Sequence, residues 1–269
     1  MKYLIAVDLE GAHEVVGEPY TGLKPGMAEY DKAVEKVTEE VNAAIDALFA
    51  VGADEVFVWD NHGNLDNLDF SVVDSRAKKV IPQNNSTKRL GFLAGAGYSG
   101  IAFIGYHARE GAINGVLAHT YDSSAIQYFK IDGKPVGEYD IDGTIAESYG
   151  VPVIFLSSDD VCVRDFSENF PDAKTAITKI GKGRNAAEFI DPETVLSDIR
   201  RGISESVKTA EIRNKKSFPC GIEIRYTRTE FAAEKMKKLE EQGVKTTYAG
   251  DAHTIAGTAE NADELRKYL

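Results

Sequence analysis

The chain has 269 residues, of which 43% are hydrophobic and 28% are charged, and these values are typical of a folded globular protein with one or two domains. Its 43 acidic and 31 basic side chains give a net charge of −12, which repels nucleic-acid phosphates and anionic lipids. The composition therefore argues against a disordered chain, a nucleic-acid-binding protein and a protein of membrane surfaces, and leaves small cationic or zwitterionic ligands open.

Short apolar runs that end in polar residues predict buried β-strands in the first part of the chain. These runs cover residues 3–7, 55–59, 101–104 and 152–156. Their near-continuous apolar character is typical of strands that are covered on both faces. Between the first two runs, apolar residues recur at spacings of three and four from Met27 to Leu48. This spacing predicts one long amphipathic helix that ends near Gly52.

A tight β-hairpin is predicted around Asp132-Gly133, between residues 128–131 and 134–136, because this pair readily adopts the positive φ angles of a two-residue turn. The next helix is expected over residues 137–149, with a stop at Gly150. The remaining predictions are helices over residues 192–207, 230–242 and 259–269 and strands over residues 221–227 and 244–249.

The alternation of strands and helices predicts an α/β fold with a mostly parallel central sheet and flanking helices, plus a smaller C-terminal α/β portion. We expect a boundary near residues 157–182, which separates a portion of residues 1–160 from a portion of residues 161–269. The second portion is expected to be either a part of the same domain or an oligomerisation subdomain.

Side chains that can bind metal ions follow the predicted strands and the hairpin. They are Asp8, Glu10, His62, His107 and Glu138. Because ligands of open α/β sheets bind beyond the carboxyl ends of the strands, we expect these side chains to converge. Carboxylates together with imidazoles favour Zn²⁺, with Mn²⁺ or Co²⁺ as alternatives. Five donors are too many for one catalytic metal ion and suit two ions that share a bridging carboxylate.

The chain contains three further histidines besides His62 and His107. His119 follows His107 within the same loop segment, so a role in the same site is expected. His13 and His253 lie in segments that the sequence does not place, and surface or capping positions are expected for them. The metal-binding catalytic portion is thus predicted within residues 1–160.

Five short motifs resemble those of the DppA-type D-aminopeptidases, a family of binuclear zinc peptidases. The matching segments are Val7-Asp8-Leu9-Glu10-Gly11, Asp60-Asn61-His62-Gly63, Gly105-Tyr106-His107-Ala108-Arg109, Ala118-His119-Thr120 and Pro135-Val136-Gly137-Glu138. Their order and spacing also agree with the family. The resemblance covers residues 1 to about 160, and the later part of the chain is similar only in its general α/β character.

The resemblance implies a role for each matching residue. Asp8 would bridge two zinc ions, Glu10 and His62 would complete one metal site, and His107 and Glu138 would complete the other. His119 would stand at the position of the catalytic nucleophile or base. Family members are cytoplasmic rings of ten subunits that release N-terminal D-residues from short peptides, so a homo-oligomer with a short peptide substrate is implied.

Two departures from the family pattern concern the surroundings of these residues. Ala118 and Thr120 stand where the family usually has serines beside the catalytic histidine. Asp142 stands where an asparagine is usual, on the same helix face as Glu138. An extra carboxylate there is expected either to attract a substrate ammonium group or to alter the charge balance at the metal ions.

The expected reaction is hydrolysis of an N-terminal amide by a metal-bound water or hydroxide, with His119 as the proton carrier and its direct nucleophilic attack as a variant. One alternative is a binuclear metal phosphoesterase. The net charge of −12 and the lack of a clear Arg or Lys cluster beside the ligand segments argue against it, although Arg109 is able to bind an anion. The other is a non-catalytic module that binds metal or amino acids. Because Asp8 interrupts the apolar N-terminal run, no signal peptide is expected, and a cytoplasmic location without membrane or nucleic-acid partners follows.

Overall fold

A computed structural model describes residues 1–63, 65–81, 89–209 and 218–269 of the chain. Twelve strands and six helices are formed within these ranges. The strands are β1 (Lys2–Val7), β2 (Glu55–Asp60), β3 (Lys78–Lys79), β4 (Gly100–Ile104), β5 (Ile126–Ile131), β6 (Lys134–Pro135), β7 (Val153–Asp159), β8 (Lys174–Gly183), β9 (Ala186–Phe189), β10 (Cys220–Tyr226), β11 (Thr246–Ala249) and β12 (Asp251–Ala259). The helices are α1 (Tyr30–Ala50), α2 (Glu138–Ser148), α3 (Asp160–Asn169), α4 (Pro192–Ser206), α5 (Thr229–Glu241) and α6 (Ala262–Lys267).

The central sheet has seven strands in the order β3-β2-β1-β4-β7-β8-β9. All neighbouring strands pair in parallel except β8 and β9 at one edge. The mostly parallel α/β architecture predicted from the sequence is therefore confirmed. Strand β1 lies between β2 and β4, so the carboxyl ends of these three strands open at one edge, where the predicted ligands begin.

Alternating side chains of the central strands enter two hydrophobic cores. Leu4 and Ala6 pack with the core that α2, α3 and the second sheet complete. Ile5 and Val7 pack with the other core, to which α1 and α4 contribute. The helix predicted from Met27 begins only at Tyr30, and Met27 is exposed and packs with neither core. Burial of both sheet faces explains why these strands are apolar throughout.

The second sheet has five antiparallel strands in the order β11-β12-β10-β5-β6. Its β5–β6 hairpin turns at Asp132 and Gly133, whose φ angles are 50° and 78°, as the sequence predicts. Strand β12 was not predicted: residue 259, the expected start of the last helix, ends this strand, and α6 begins at Ala262 after an Asn261 cap. The sequence patterns do not predict α3, β8 or β9 either.

Both sheets take strands from either side of residue 160. The central sheet includes β8 and β9, and the second sheet includes β5 and β6. The division into residues 1–160 and 161–269 stays a prediction. None of the described helices combines the length and the apolar character that a bilayer-spanning segment requires.

Candidate metal centre

The backbone around β1 brings the first two carboxylates to the open edge of the central sheet. The amide of Asp8 donates to the Ile104 carbonyl at 2.9 Å, and the amide of Asn61 donates to the Val7 carbonyl at 2.8 Å. These bonds continue the parallel pairing beyond the strand ends. As a result, Asp8 lies at the same edge of the sheet as the segments after β2 and β4, which carry His62 and His107.

Glycines allow the loops after β1 and β4 to lie against each other. The Gly11 amide donates to the Gly105 carbonyl at 2.7 Å. A Cβ atom on Gly105, whose φ is 71°, would lie 2.2 Å from the Asp8 carbonyl oxygen. Only glycine tolerates both this angle and this approach, so the backbone that precedes His107 stays in contact with the backbone of Asp8.

Asp8, Glu10 and His62 form one side of the candidate site. His62 Nδ1 lies 2.9 Å from Asp8 Oδ1 and 3.2 Å from Glu10 Oε2. The other ring nitrogen, Nε2, lies 2.6 Å from the Leu23 carbonyl oxygen, which can only accept. This carbonyl therefore holds a proton on Nε2 and orients the ring so that Nδ1 is the nitrogen that faces the carboxylates.

His107 and Glu138 form the other side, with His119 next to them. His107 Nε2 lies 3.2 Å from Glu138 Oε1 and 3.6 Å from Asp8 Oδ2. The rings of His107 and His119 are stacked with centroids 4.0 Å apart, and His119 Nε2 lies 3.8 Å from Glu138 Oε1. Glu138 reaches this position because α2 starts directly after the β5–β6 hairpin. The structure thus brings all five predicted ligands and His119 together.

Burial and mutual charge shift the pKa values of this cluster strongly. Burial and the neighbouring Glu10 raise the pKa of Asp8 to about 7. Burial alone would lower the pKa of His62 and of His107, but the carboxylates raise them to about 12 and about 10. Burial opposes the charged form of Glu138, yet His107 lowers its pKa to about 2. Three carboxylates that crowd together in a buried site favour any positive charge between them.

The donor set fits divalent cations. Ligand atoms of Asp8, Glu10 and His107 lie within 4.8 Å of one another, and those of His107, His119 and Glu138 form a second such group. His107 Nε2 is buried but makes no hydrogen bond with any of the described residues. A buried imidazole nitrogen that faces two carboxylates without a well-aligned hydrogen bond is the arrangement expected of a metal ligand, because buried polar atoms are otherwise hydrogen-bonded.

A cavity of about 650 Å³ opens over these residues. Its walls include Asp8, Glu10, His62, His119 and Glu138, so the candidate ligands face a space that can hold a small organic molecule. Trp59, Tyr121, Arg89, Lys24 and Arg184 also line it.

Arg89 is a residue that the sequence gave no reason to single out. Its guanidinium forms a bidentate salt bridge with Asp142, with Nε 2.7 Å from Oδ1 and Nη2 2.9 Å from Oδ2. Asp142 also accepts a 2.8 Å hydrogen bond from the Tyr106 hydroxyl. The departure from the family pattern at Asp142 is therefore a carboxylate paired with a cation inside the protein. It is not free to attract a substrate ammonium group.

The remaining predicted polar residues lie elsewhere. Arg109 lines a separate cavity, where its Nε lies 3.7 Å from Asp165. His13 is fully buried and contacts Glu40 and Glu39, so the expectation of a surface or capping position was wrong. His253 lies on β12 and faces the Tyr226 carbonyl oxygen at 3.2 Å.

A buried lysine supports the loop that carries Glu10. Lys179 on β8 donates from Nζ to the Glu10 carbonyl at 2.8 Å and to the Ala12 carbonyl at 2.5 Å. Burial lowers the pKa of Lys179 to about 8 despite nearby carboxylates. The two hydrogen bonds hold the loop against β8 and supply partners for an ammonium group that would be costly to bury without them. No motif indicated this residue, because 169 positions separate it from Glu10.

Comparisons with known proteins identify the family of the chain and a solved structure of similar fold. The full chain, residues 1–269, matches the sequence model of the M55 peptidase family, described as D-aminopeptidase. A D-aminopeptidase of Bacillus subtilis (strain 168) is 29% identical over 194 residues, which cover 71% of this chain and 68% of that protein. The solved structure of the "Zn-dependent D-aminopeptidase DppA from Bacillus subtilis, a self-compartmentalizing protease" has a TM-score of 0.88 at 23% identity, and the match covers 100% of this chain and 95% of that one.

Proposed function

The chain belongs to the M55 peptidase family of D-aminopeptidases, and on this basis we propose that it uses two zinc ions to release N-terminal D-residues from short peptides. Membership in this family makes the protein a metal-dependent aminopeptidase, which is a hydrolase. The proposal adds the number and kind of metal ions, the residues that bind them and the class of peptide.

One geometric relation carries the proposal. The two oxygens of Asp8 face different imidazoles, Oδ1 that of His62 at 2.9 Å and Oδ2 that of His107 at 3.6 Å. A carboxylate that faces two donor groups in this way is suited to bridge two cations. Glu10 would then complete the metal site of His62, and Glu138 would complete that of His107.

When bound, such ions lower the pKa of a coordinated water and polarise a carbonyl group. Zinc suits this mixture of oxygen and nitrogen donors, and Mn²⁺ or Co²⁺ are the alternatives. The protein's own contribution is to hold three carboxylates and two imidazoles in a buried site beside a cavity. The Leu23 carbonyl at His62 Nε2 and the Ala108 carbonyl at His107 Nδ1, 3.0 Å away, orient the two rings.

We assign the transfer of a proton to His119. Its Nδ1 lies 2.8 Å from the Leu117 carbonyl, which can only accept, so the proton resides on Nδ1 and Nε2 is left as a base that faces the centre. Burial and the neighbouring His107 lower the pKa of His119, which keeps the ring neutral near pH 7. Such a ring can take a proton during attack and pass it to the leaving amine.

We further propose that the protein is a cytoplasmic homo-oligomer, with a ring of ten subunits as the specific expectation. The match to a structure described as a self-compartmentalizing protease supports an assembly of this kind. Sedimentation velocity of the purified protein tests the proposal, because ten chains of 29.3 kDa separate clearly from smaller assemblies.

The central experiment combines elemental analysis of the purified protein with a panel of D- and L-aminoacyl anilides and one phosphoester. Two zinc ions per chain, together with release of amine from the D-aminoacyl anilides and no phosphoester cleavage, are expected. Tight metal binding without turnover of any anilide would instead favour a binding module. Cleavage of the phosphoester alone would favour a phosphoesterase.

A further inference from the structure

Arg89 lies beside the metal centre and is held in one orientation. Its Nη2 lies 3.3 Å from Glu138 Oε2, in addition to the contacts of Nε and Nη2 with Asp142. The guanidinium carbon stands 4.5 Å from the centre of the Tyr121 ring and 5.4 Å from that of Trp59. The two aromatic rings and the carboxylate of Asp142 therefore fix the plane of the guanidinium.

The contacts of this guanidinium involve Nε and Nη2, and its Nη1 group takes part in none of them. Among the described residues, Nη1 makes no hydrogen bond and no ion pair, while the Arg89 side chain is 12% exposed and lines the cavity over the metal centre. The contacts with Asp142 and Glu138 therefore leave the two N–H groups of Nη1 available to a molecule in the cavity.

The other cations on the cavity wall are less suited to bind a substrate. Arg184 donates from Nη1 to the Ala118 carbonyl, and Lys24 is exposed. Arg89 is thus the cation on the cavity wall that is largely shielded from solvent and held in one orientation. A fixed guanidinium recognises a carboxylate through a planar, directional contact, and little conformational entropy is lost on binding.

We propose that Arg89 binds the free C-terminal carboxylate of a short peptide and so determines which peptides the protein accepts. This inference rests on the function proposed above and specifies its substrate class. The contact between Arg89 and Glu138 sets the guanidinium next to a predicted metal ligand, so the carboxylate it binds lies close to the scissile amide. Dipeptides with a free carboxylate are therefore preferred over their C-terminal amides.

Binding is measured first, because it does not require turnover. The probes are a D-alanylglycine isostere, in which CH₂–NH replaces the scissile amide, and the C-terminal amide of this isostere. Calorimetry with both the zinc-loaded and the metal-free protein is expected to show about 10- to 100-fold tighter binding of the acid, the range typical of a charge-assisted hydrogen bond. Equal affinities for acid and amide would overturn the inference.

The double variant R89Q/D142N removes both charges of the Arg89–Asp142 pair, so Asp142 is not left as an unpaired carboxylate, and Glu138 keeps its contact with His107 at 3.2 Å. We expect the ratio of acid to amide affinity to fall to less than about 3-fold in this variant and to be intermediate in R89K, which keeps the charge but not the planar fork. The control R225Q/D251N removes an exposed pair of the second sheet, with an Nη1–Oδ2 distance of 2.6 Å, and must keep the wild-type ratio. A wild-type ratio in R89Q/D142N would contradict the inference.

Turnover separates this inference from the proposed function. The ratio of kcat/KM between D-alanylglycine and its amide should follow the binding ratio and fall in R89Q/D142N, mainly through KM. If the acid binds more tightly but no peptide is cleaved, only the proposed function fails. If both substrates are cleaved with the same kcat/KM, only the assignment of Arg89 fails.

Discussion

The carbonyl oxygen of Tyr106 occupies the space that a side chain at Gly11 would need. A Cβ atom placed on Gly11 would lie 1.7 Å from this oxygen, far inside van der Waals contact. The same oxygen accepts a hydrogen bond from the Ser158 hydroxyl at 2.5 Å, so it is held from the other side as well. The distance between the loops that carry Glu10 and His107 therefore depends on the missing side chain of Gly11.

The first prediction is that Gly11→Ala forces these loops apart. We expect a loss of about 1–3 kcal/mol in the free energy of unfolding, as for other overpacked sites, together with weaker zinc binding. Urea unfolding and zinc titration measure the two effects. Gly221→Ala is the control, because its Cβ would approach only Asp132 Oδ1, at 3.5 Å. Normal zinc affinity in Gly11→Ala would contradict the role assigned to this contact.

The second prediction concerns the bridging carboxylate. Asp8→Ala should reduce the zinc content from two ions per chain to one or none, because both predicted metal sites share this residue. Elemental analysis after dialysis measures the content. Asp122→Asn alters a carboxylate on the wall of the same cavity, outside the ligand groups, and should keep two ions. Two ions in Asp8→Ala would refute the bridging assignment.

The third prediction separates proton transfer from metal binding at His119. His119→Ala should keep its zinc and lose about 10²- to 10⁴-fold in kcat, the range for removal of a general acid or base. Zinc analysis and anilide hydrolysis on the same sample provide both numbers. His253→Ala on β12 serves as the control and should retain activity. Loss of one zinc ion from His119→Ala would instead identify His119 as a metal ligand.

The fourth prediction is a pH-dependent contribution of His13 to stability. Burial alone would lower its pKa, but Glu40 and Glu39 reverse this effect and raise the pKa above the ordinary value. The charged His13 ring therefore contributes its full share to the free energy of unfolding below the pKa of the unfolded state, about 6.5. This contribution is lost as the pH rises through the raised pKa of the folded state.

His13→Gln should accordingly cost about 1–3 kcal/mol of unfolding free energy near pH 6 and progressively less at higher pH. Urea unfolding at several pH values measures the difference from the wild type. Glu35→Gln, on an exposed position of the same α1 helix, should change stability by less than about 0.5 kcal/mol. A difference that does not vary with pH would show that packing alone explains the effect.

Local patterns were sufficient for several parts of this fold. The apolar runs before Asp8 and Asp60 identified β1 and β2, since strands covered on both faces exclude polar side chains. Spacings of three and four identified α1, and Asp132-Gly133 identified the hairpin that leads to Glu138. Because parallel strands end at a common edge, the residues after them could be expected to meet, and the resemblance to a known family supplied a role for each.

Other elements had weak local signals. Asp159 caps α3 by accepting from the amides of Val161 and Cys162, but a capping residue alone does not identify a helix of only ten residues. Strand β12 contains glycine and small residues, and it is stabilised by pairing with β10 on one side and β11 on the other. Such pairing depends on segments distant in the chain, so no local pattern reveals it.

The sequence by itself determined the type of fold, the residues that can bind metal and the order in which strands deliver them, because periodicity and residue chemistry are local properties. Only the tertiary structure decided what surrounds those residues. It paired Asp142 with Arg89 across 53 positions and buried His13 against Glu40. Contacts of this kind follow from the packing of whole elements and from the need to pair every buried charge, and neither condition is visible in a stretch of neighbouring residues.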